Sequence, residues 1–180
     1  MKINMSKIAK IKTYDIANGK GIRTSIFFSG CEHYCKNCFN QELWDFNVGK
    51  QINLRMMDYI NSTMNDHIKG ISILGGEPMH PENICDLGAL LSYFKSNNPT
   101  KDVWLWSGYT FEELMNRDDD FLNYITKYIF KSVDVLVDGR FIEEKKDLTL
   151  KFRGSSNQRV IDVQKSLAKG KVVVYEEKDN

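Results

Sequence analysis

The sequence predicts an α/β fold built on a mostly parallel, open and curved sheet of about five to six strands, which is a partial (βα) barrel. Short apolar runs rich in β-branched and aromatic residues alternate with helical patterns, and this order favours parallel strands joined by right-handed crossovers. A closed eight-unit barrel typically needs about 250 residues, whereas this chain has 180.

Five segments are predicted to be strands because each is short, apolar and rich in β-branched or aromatic residues. They are 24–29 (TSIFFS), 71–74 (ISIL), 103–106 (VWLW), 133–137 (VDVLV) and 172–175 (VVVY). The first four end at Gly30, Gly75-Gly76, Ser107-Gly108 and Asp138-Gly139. Ligands of parallel α/β folds bind at the carboxyl edge of the strands, so these turns predict a site at that edge.

Helical patterns occupy the intervals between the predicted strands. Apolar residues recur near one face in 53–64, more clearly in 81–94, and again in 121–129. A candidate capping box of Thr110 and Glu113 predicts a short helix that begins at Phe111. The predicted buried positions are Leu54, Met57, Ile60, Met64, Ile84, Leu87, Leu90, Leu91, Phe94, Phe121, Ile125, Tyr128 and Ile129.

The composition is that of one globular domain, predicted to span residues 1–180. Hydrophobic residues make up 42% and charged residues 27% of the chain, and the formal net charge is +1. That charge does not predict binding to nucleic acid, and no apolar run approaches the roughly 18 residues of a membrane span. The start MKINMSKIAK lacks the apolar core of a secretory signal, so a cytoplasmic location is predicted. Met1 and Met5 both remain candidate start residues.

Three of the four cysteines lie within eight residues, at Cys31, Cys35 and Cys38. In a reducing compartment, clustered cysteines more often bind metals or perform redox chemistry than form disulfides. Three thiols are one fewer than a structural zinc site uses, whereas a catalytic zinc site keeps an open position. A 4Fe–4S cluster held by three thiolates also keeps one iron open, since thiolates hold such clusters well.

Spacing alone leaves zinc and iron–sulfur open. His33 lies between two of the cysteines and is a further candidate ligand, but we interpret it as a loop residue. Cys85 follows the predicted core residue Ile84 on a helical segment, so we interpret it as a small buried hydrophobe and not a ligand.

The cysteine spacing after a first strand resembles the cluster loop of the radical S-adenosylmethionine superfamily. Members usually carry an aromatic residue just before the third cysteine, whereas this chain has Asn37 there and Phe39 after it. That variation fits the branch of proteins that activate anaerobic ribonucleoside-triphosphate reductase. Five segments resemble that branch in the same order: 19–46, 71–81 (ISILGGEPMHP), 103–114 (VWLWSGYTFEEL), 133–141 (VDVLVDGRF) and 151–163 (KFRGSSNQRVIDV).

The resemblance implies a radical reaction with two cofactors. Cys31, Cys35 and Cys38 would hold a 4Fe–4S cluster whose open iron binds S-adenosyl-L-methionine. One electron from the reduced cluster would break the sulfur–C5′ bond, and the resulting 5′-deoxyadenosyl radical would take hydrogen from a glycine of the reductase. The implied partners are that reductase and a low-potential electron donor such as flavodoxin.

The resemblance also implies where S-adenosylmethionine lies. The Gly75-Gly76 turn would contact the methionine amino group through the backbone, and Glu77 would support the loop or counter cationic charge. Each residue also has a plainer interpretation. The glycines suit a tight turn with positive φ, and a glutamate beside such a turn need not touch a ligand.

Asn37, Cys38 and Phe39 would border the adenine, although Phe39 is equally typical of a core aromatic. Asp138 would bind a ribose hydroxyl or a backbone donor, and Arg140 a carboxylate. A turn aspartate and a solvated arginine are the simpler interpretation of that pair.

Residues 147–180, which include the polar RGSSNQR segment, would form a lid or a partner contact. Three alternative functions remain: an activase of another glycyl-radical enzyme such as pyruvate formate-lyase, a zinc-binding interaction module, and a simple electron carrier.

Overall fold

The structure is a computed structural model that describes residues 5–177. Met1, one of the two candidate start residues, lies outside the described residues. The described strands are β1 (Lys7–Asp15), β2 (Ile22–Phe28), β3 (Lys50–Gln51), β4 (Ile68–Gly75), β5 (Asp102–Ser107), β6 (Val135–Asp138) and β7 (Arg159–Asp162). The described α-helices are α1 (Leu54–Ser62), α2 (Ile84–Asn97), α3 (Phe111–Met115), α4 (Asp120–Phe130) and α5 (Val163–Lys169).

The strands form one open seven-stranded sheet in the order β3-β1-β2-β4-β5-β6-β7. The four central strands β2, β4, β5 and β6 are parallel, whereas β1, β3 and β7 pair antiparallel at the two sides. The predicted α/β class and mostly parallel open sheet are therefore confirmed. The strand count exceeds the predicted five to six because the outer strands are not apolar runs.

The predicted strand at 172–175 is wrong. Within it only Val174 forms an isolated bridge, to Ile161, and its side chain is 61% exposed. The outermost strand on that side is β7 instead, which pairs with β6 from Val135↔Asp162 to Asp138↔Arg159. The sequence RVID can form this strand although it is half polar, because an antiparallel edge strand needs apolar residues only on the face that packs on the core.

The helices cover one face of the sheet, and the core lies between them. The predicted helices are present within a few residues of their expected bounds, and the Thr110–Glu113 capping box forms on α3. Core side chains include Ile26, Phe28, Ile71, Ile73, Leu87, Leu91, Phe94, Leu105, Ile129 and Leu136.

Three positions predicted on buried helix faces are exposed instead, namely Leu54, Phe121 and Tyr128. Leu54 is the first residue of α1, and Phe121 is the second residue of α4. On the same two helices, Ile60 and Ile129 are fully buried.

The opposite face of the sheet is partly polar. Arg23 of β2 is buried, and it donates to Ser72 Oγ and to the carbonyl oxygen of Ile71, at 2.7 Å each. Its guanidinium also pairs with Asp102 at 2.6 Å and lies over the Trp104 ring at 5.4 Å. Trp104 in turn packs with Val135, Val137, Trp106, Phe152 and Tyr175. This face forms the floor of the candidate site.

No helix among residues 5–177 combines the length and the apolarity that crossing a membrane requires.

Candidate functional site

The cysteine loop leaves the carboxyl end of β2 and is anchored where it begins. The Gly30 amide donates to the carbonyl oxygen of Leu43 at 2.8 Å, and the Cys31 amide donates to that of Trp44 at 3.1 Å. The Glu77 amide donates to the carbonyl oxygen of Gly30 at 2.7 Å. These bonds fix the first cysteine beside the turn that follows β4.

The second half of the loop turns sharply between Cys35 and Cys38. Asn37 has φ +54°, and the Cys38 amide donates to the carbonyl oxygen of Cys35. Asparagine enters this left-handed region more readily than bulky residues do. This backbone conformation gives a physical reason for asparagine at the position where the resemblance leads one to expect an aromatic residue.

The three thiols line one cleft of about 650 Å³. Burial raises the pKa of Cys31 to about 12; the His33 amide opposes the rise, while Glu77 and the other two thiols add to it. Burial also raises the pKa of Cys35, and the nearby Cys38 adds to that rise. Thiols in such surroundings ionise when a metal centre binds them, since a coordinating thiol is deprotonated outright.

The Gly75-Gly76 turn lies directly against this loop. Gly75 has φ +114°, as predicted for a glycine here. A Cβ on Gly76 would lie 2.6 Å from the Gly30 carbonyl oxygen, so only glycine fits between the turn and the cysteine loop. The Gly76 amide already donates to the carbonyl oxygen of Phe28.

Glu77 is a buried carboxylate with four hydrogen-bond donors. Its Oε1 accepts from the Met79 amide and the Ser107 hydroxyl, both at 2.9 Å. Its Oε2 accepts from the Gly108 amide at 2.6 Å and lies 2.9 Å from His33 Nε2. One side chain therefore joins the ends of β4 and β5 to the cysteine loop.

His33 is held on both sides. Arg140 Nε donates to His33 Nδ1 at 3.1 Å, so Nε2 carries the proton that is donated to Glu77. The ring also contacts Tyr109 edge-on at 4.5 Å between centroids. With both nitrogens engaged, His33 lies in the loop as a structural group, which agrees with its interpretation as a loop residue.

The structure brings most of the predicted site residues together. Cys31, Cys35, Cys38, Phe39, Gly75, Gly76 and Glu77 line the main cleft. Asp138 and Arg140 line an adjoining pocket of about 580 Å³, which Cys35 and His33 also border. Asn37 lies on the loop outside the lining of both pockets, and its amide donates to Glu143.

Asp138 is buried and engaged by protein groups. It accepts from the Phe111 amide at 2.7 Å and from Arg159 Nε at 3.0 Å. Arg159 also pairs with Glu112, and its hydrogen bonds to Asp138 and then to Glu112 raise the Arg159 pKa. Asp138 therefore fastens α3 and β7 to the end of β6.

Residues 147–158 form one wall of the cleft, with Phe152 contributing its ring. The Gln158 side chain accepts from the amides of Gly154 and Ser155 and donates to the carbonyl oxygen of Gly139 at 2.9 Å. Asn157 donates to the carbonyl oxygen of Arg140 at 2.9 Å. The RGSSNQR segment thus holds the turn after β6 beside Cys35.

Cys85 is separate from this site. It lies on α2 with an exposed side chain, so the prediction that it is buried is wrong. The first turn of α2 turns Ile84 towards the core and leaves the next residue towards solvent.

The sequence interpretation placed the Ser107-Gly108 turn at the ligand-binding edge of the sheet, but nothing local to these residues reports their bonds to Glu77. It missed Phe141 and Phe152 as residues of the cleft. The two phenylalanines look like ordinary core residues in the sequence, and only the fold places their rings at the cleft.

Comparison with known proteins identifies relatives over most of the chain. A protein from Vibrio cholerae is 44% identical over 147 residues, which cover 80% of this chain and 90% of that relative. It is named an anaerobic ribonucleoside-triphosphate reductase-activating protein. The chain belongs to the family of these activating proteins. Members from Escherichia coli strain K12 and Enterobacteria phage T4 are 41% and 33% identical over 149 and 154 residues. Those matches cover 81% and 84% of this chain and 92% and 90% of the two relatives.

A family model described as a 4Fe-4S single cluster domain also matches residues 17–161. That range contains all three clustered cysteines. Within residues 5–177, no group of three or more His, Cys, Asp or Glu side chains is arranged to hold a metal ion. In a 4Fe–4S cluster each protein thiolate binds a different iron, so the thiols need not converge on one metal ion. A chain that holds such a cluster through three thiolates therefore needs three thiols on one cleft. Cys31, Cys35 and Cys38 supply that set.

Proposed function

We propose that this protein activates an anaerobic ribonucleoside-triphosphate reductase by generating a glycyl radical on it. The observation that carries the proposal is the position of three thiols on one cleft with the Gly75-Gly76 turn, at the carboxyl edge of the parallel strands. The relatives named for this activity cover four fifths of the chain, which supports the same partner.

Cys31, Cys35 and Cys38 would hold a 4Fe–4S cluster, and S-adenosylmethionine would bind at the iron without a protein thiolate. When bound and reduced, the cluster supplies the electron that breaks the sulfur–C5′ bond of S-adenosylmethionine. The protein is thus proposed to be a radical S-adenosylmethionine oxidoreductase. The remaining protein groups bind, orient and enclose, and none needs to act as a general base.

Gly75 and Gly76 are proposed to bind the methionine end of S-adenosylmethionine. Since the Gly76 amide already donates to Phe28, an ammonium at this turn would donate to the Gly76 carbonyl oxygen. Glu77 supports the loop in this proposal, because its four donors already satisfy the carboxylate.

Cys38 and Phe39 are proposed to border the adenine, with Asn37 shaping the turn between them and Cys35. The Phe39 ring is 56% exposed and lies 5.1 Å from the Phe141 ring, so the pair forms an aromatic wall beside the cleft. Aromatic faces of this kind suit a purine.

Asp138 and Arg140 are proposed to act at the rim. Asp138 is proposed to bind a backbone donor, the Phe111 amide, and not a ribose hydroxyl. Arg140, whose side chain is half-exposed, is proposed to bind a carboxylate. Residues 147–180, of which 178–180 lie outside the described residues, are proposed to form a lid or a partner contact, and the sheet is proposed to curve as a partial barrel. The electron is proposed to come from a low-potential donor such as flavodoxin, and the protein is proposed to act in the cytoplasm.

The test is anaerobic reconstitution with iron and sulfide, followed by chemical reduction and measurement of 5′-deoxyadenosine with and without the reductase. We expect 5′-deoxyadenosine to form, and a glycyl radical signal to appear when the reductase is present. In the anaerobically purified protein, before reconstitution, stoichiometric zinc without iron or sulfide would contradict the proposal and favour an interaction module. A cluster whose spectrum ignores S-adenosylmethionine would favour an electron carrier, and activation of pyruvate formate-lyase alone would favour the related activase.

A further inference from the structure

The chain Arg140–His33–Glu77 crosses the candidate site, and His33 has no role of its own in the proposed reaction. His33 stands between two of the clustered cysteines, and its ring nitrogens connect a residue after β6 to a residue after β4. Glu77 extends the connection to Ser107 and Gly108 after β5. Three strand ends and the cysteine loop therefore meet at one imidazole.

The bond between His33 and Glu77 is a buried side-chain link between the loop and the sheet, beside the backbone bond from the Glu77 amide to the Gly30 carbonyl oxygen. The His33 side chain is 8% exposed and that of Glu77 is 1% exposed. The loop also pairs from Glu32 to His80 and from Lys36 to Glu143, but Glu32 and Lys36 are largely exposed. Exposed ion pairs contribute little to stability, whereas a hydrogen bond to a buried carboxylate stabilises the structure more.

The His33 ring is closely packed by the residues around it. A Cβ on Gly108 would lie 2.3 Å from His33 Cδ2, so the imidazole packs directly on the backbone of the β5 turn. Tyr109 meets the ring edge-on. The ring is thus packed on its face and bonded at both nitrogens.

We propose that His33 is a positioning residue that clamps the cysteine loop to the ends of β4 and β5, and thereby sets where the Cys31 and Cys35 sulfurs stand before a cluster binds. Arg140 and Glu77 act through His33 in this role. The first readout below tests the clamp in the cluster-free chain, whereas the second rests on the proposed function.

The first readout is alkylation of Cys31 in the full-length, cluster-free, reduced chain, quantified by peptide mass spectrometry. Cys31 is buried where it borders the cleft, so loop opening is expected to raise its alkylation rate, while exposed Cys85 gives an internal reference rate in the same molecule. We expect His33→Ala to raise the Cys31 to Cys85 rate ratio about tenfold, because a hydrogen bond to a buried carboxylate is lost.

Conservative variants separate the clamp from general packing. His33→Gln places an amide donor near the position of Nε2 and is expected to restore most of the protection. His33→Asn is too short to reach Glu77 and is expected to resemble His33→Ala. Gly108→Ala keeps the His33 side chain but is expected to raise the ratio, because the added Cβ displaces the imidazole ring.

The matched control is His80→Ala. The His80 side chain is also 8% exposed and packs on an aromatic ring, Phe46 at 4.8 Å, but its carboxylate partner Glu32 is exposed. We expect His80→Ala to leave the alkylation ratio unchanged. An unchanged ratio in His33→Ala, an equal rise in His80→Ala, or equal protection in the Asn and Gln variants would overturn the clamp.

The second readout is the electron paramagnetic resonance signal of the reduced, reconstituted protein titrated with S-adenosylmethionine. We expect His33→Ala to need about tenfold more S-adenosylmethionine for the spectral change, and His33→Gln to remain near the parent. Half-saturation at the parent concentration in His33→Ala would count against the clamp. If the parent itself shows no spectral change, the proposed function fails while the alkylation result still decides the clamp.

Discussion

Cys31 and Cys85 illustrate how neighbours decide what a thiol does. Cys31 is enclosed by the start of its loop, with Glu77 and two further thiols nearby. Cys85 stands on the exposed side of α2. Only the first kind of thiol has partners with which to share a cluster.

Replacing the cysteines one at a time tests that difference. Cys31→Ala, Cys35→Ala and Cys38→Ala are each expected to abolish the cluster, whereas Cys85→Ala is expected to retain it. Iron and sulfide content and visible absorption after anaerobic reconstitution provide the measurement. Loss of iron and sulfide in Cys85→Ala would contradict the assignment of ligands.

Individual site residues differed in how well the sequence predicts them. The cysteines and the Gly75-Gly76 turn are local patterns, so their spacing was enough to place them at the cleft. Cys85 was predicted to be buried because it follows Ile84, but successive helix positions point in different directions, and the stripe of Ile84, Leu87 and Leu91 leaves position 85 off the buried face. The bonds of Glu77 were also hidden, since its donors at Ser107 and Gly108 lie some thirty residues further along the chain.

Among the elements, the segment Arg153–Arg159 shows how a polar loop can act as a fastening. Its side chains bond mainly to backbone groups of the turn after β6, through Gln158 to Gly139 and through Asn157 to Arg140. Ser155 adds a bond from the Ile142 amide to its hydroxyl. The turn that borders Cys35 is therefore held by side chains from elsewhere in the chain.

Gln158→Ala is expected to speed hydrogen exchange of the amides at 139–142 and to lower the free energy of unfolding by roughly 1–3 kcal/mol, since buried partners lose their hydrogen bonds. Mass spectrometry after deuterium labelling measures the exchange. Gln164→Ala is the matched control, because Gln164 also bonds to two carbonyl oxygens, those of Phe130 and Val133, away from the cleft. Faster exchange at 139–142 in both variants would show that the effect is not local.

The elements themselves were predicted best where they are buried. The sequence located all four central parallel strands because each contains a short apolar run, although β2 and β4 also carry polar residues. β1 has the alternating sequence KIAKIKTYD with one covered face, and β7 is only four residues long, so neither resembles a buried strand. The apolar run at 172–175 was wrongly predicted to be a strand, because hydrophobicity does not show whether a partner strand lies close enough to pair.

Across the whole molecule, the two faces of the sheet differ in the side chains that they bury. The helix-covered face holds the continuous apolar core, whereas the cleft face buries Arg23, Ser25, Ser72 and Asp15. Asp15 accepts from the Ser25 hydroxyl, Lys12, the Ala17 amide and Asn18. Burial alone would raise the Asp15 pKa, but these hydrogen bonds outweigh it and hold the pKa well below its usual range.

This carboxylate makes global stability dependent on pH. Since the folded-state pKa lies below the unfolded value of about 3.9, Asp15 contributes stability above about pH 4 and loses it as the pH falls towards the folded pKa. Asp15→Asn is expected to cost roughly 1–3 kcal/mol at pH 7 and to flatten the loss of stability below pH 4.

Urea unfolding of the cluster-free chain from pH 3 to pH 7 measures both effects of Asp15→Asn. The exposed Asp118 is the control, and Asp118→Asn is expected to leave the curve unchanged at pH 7. An Asp15→Asn curve parallel to that of the parent throughout the acid range would refute the role of this buried carboxylate.

The antiparallel strands at the two sides of the sheet also govern how the protein behaves in a crowded solution. An exposed strand edge invites another chain to pair with it and so seeds aggregates. Here β3, at one side, is only two residues long and contains Lys50, while the bridge from Val174 to Ile161 covers part of β7 at the other. The parallel strands that carry the site lie between these flanking strands, so they are shielded from intermolecular strand pairing.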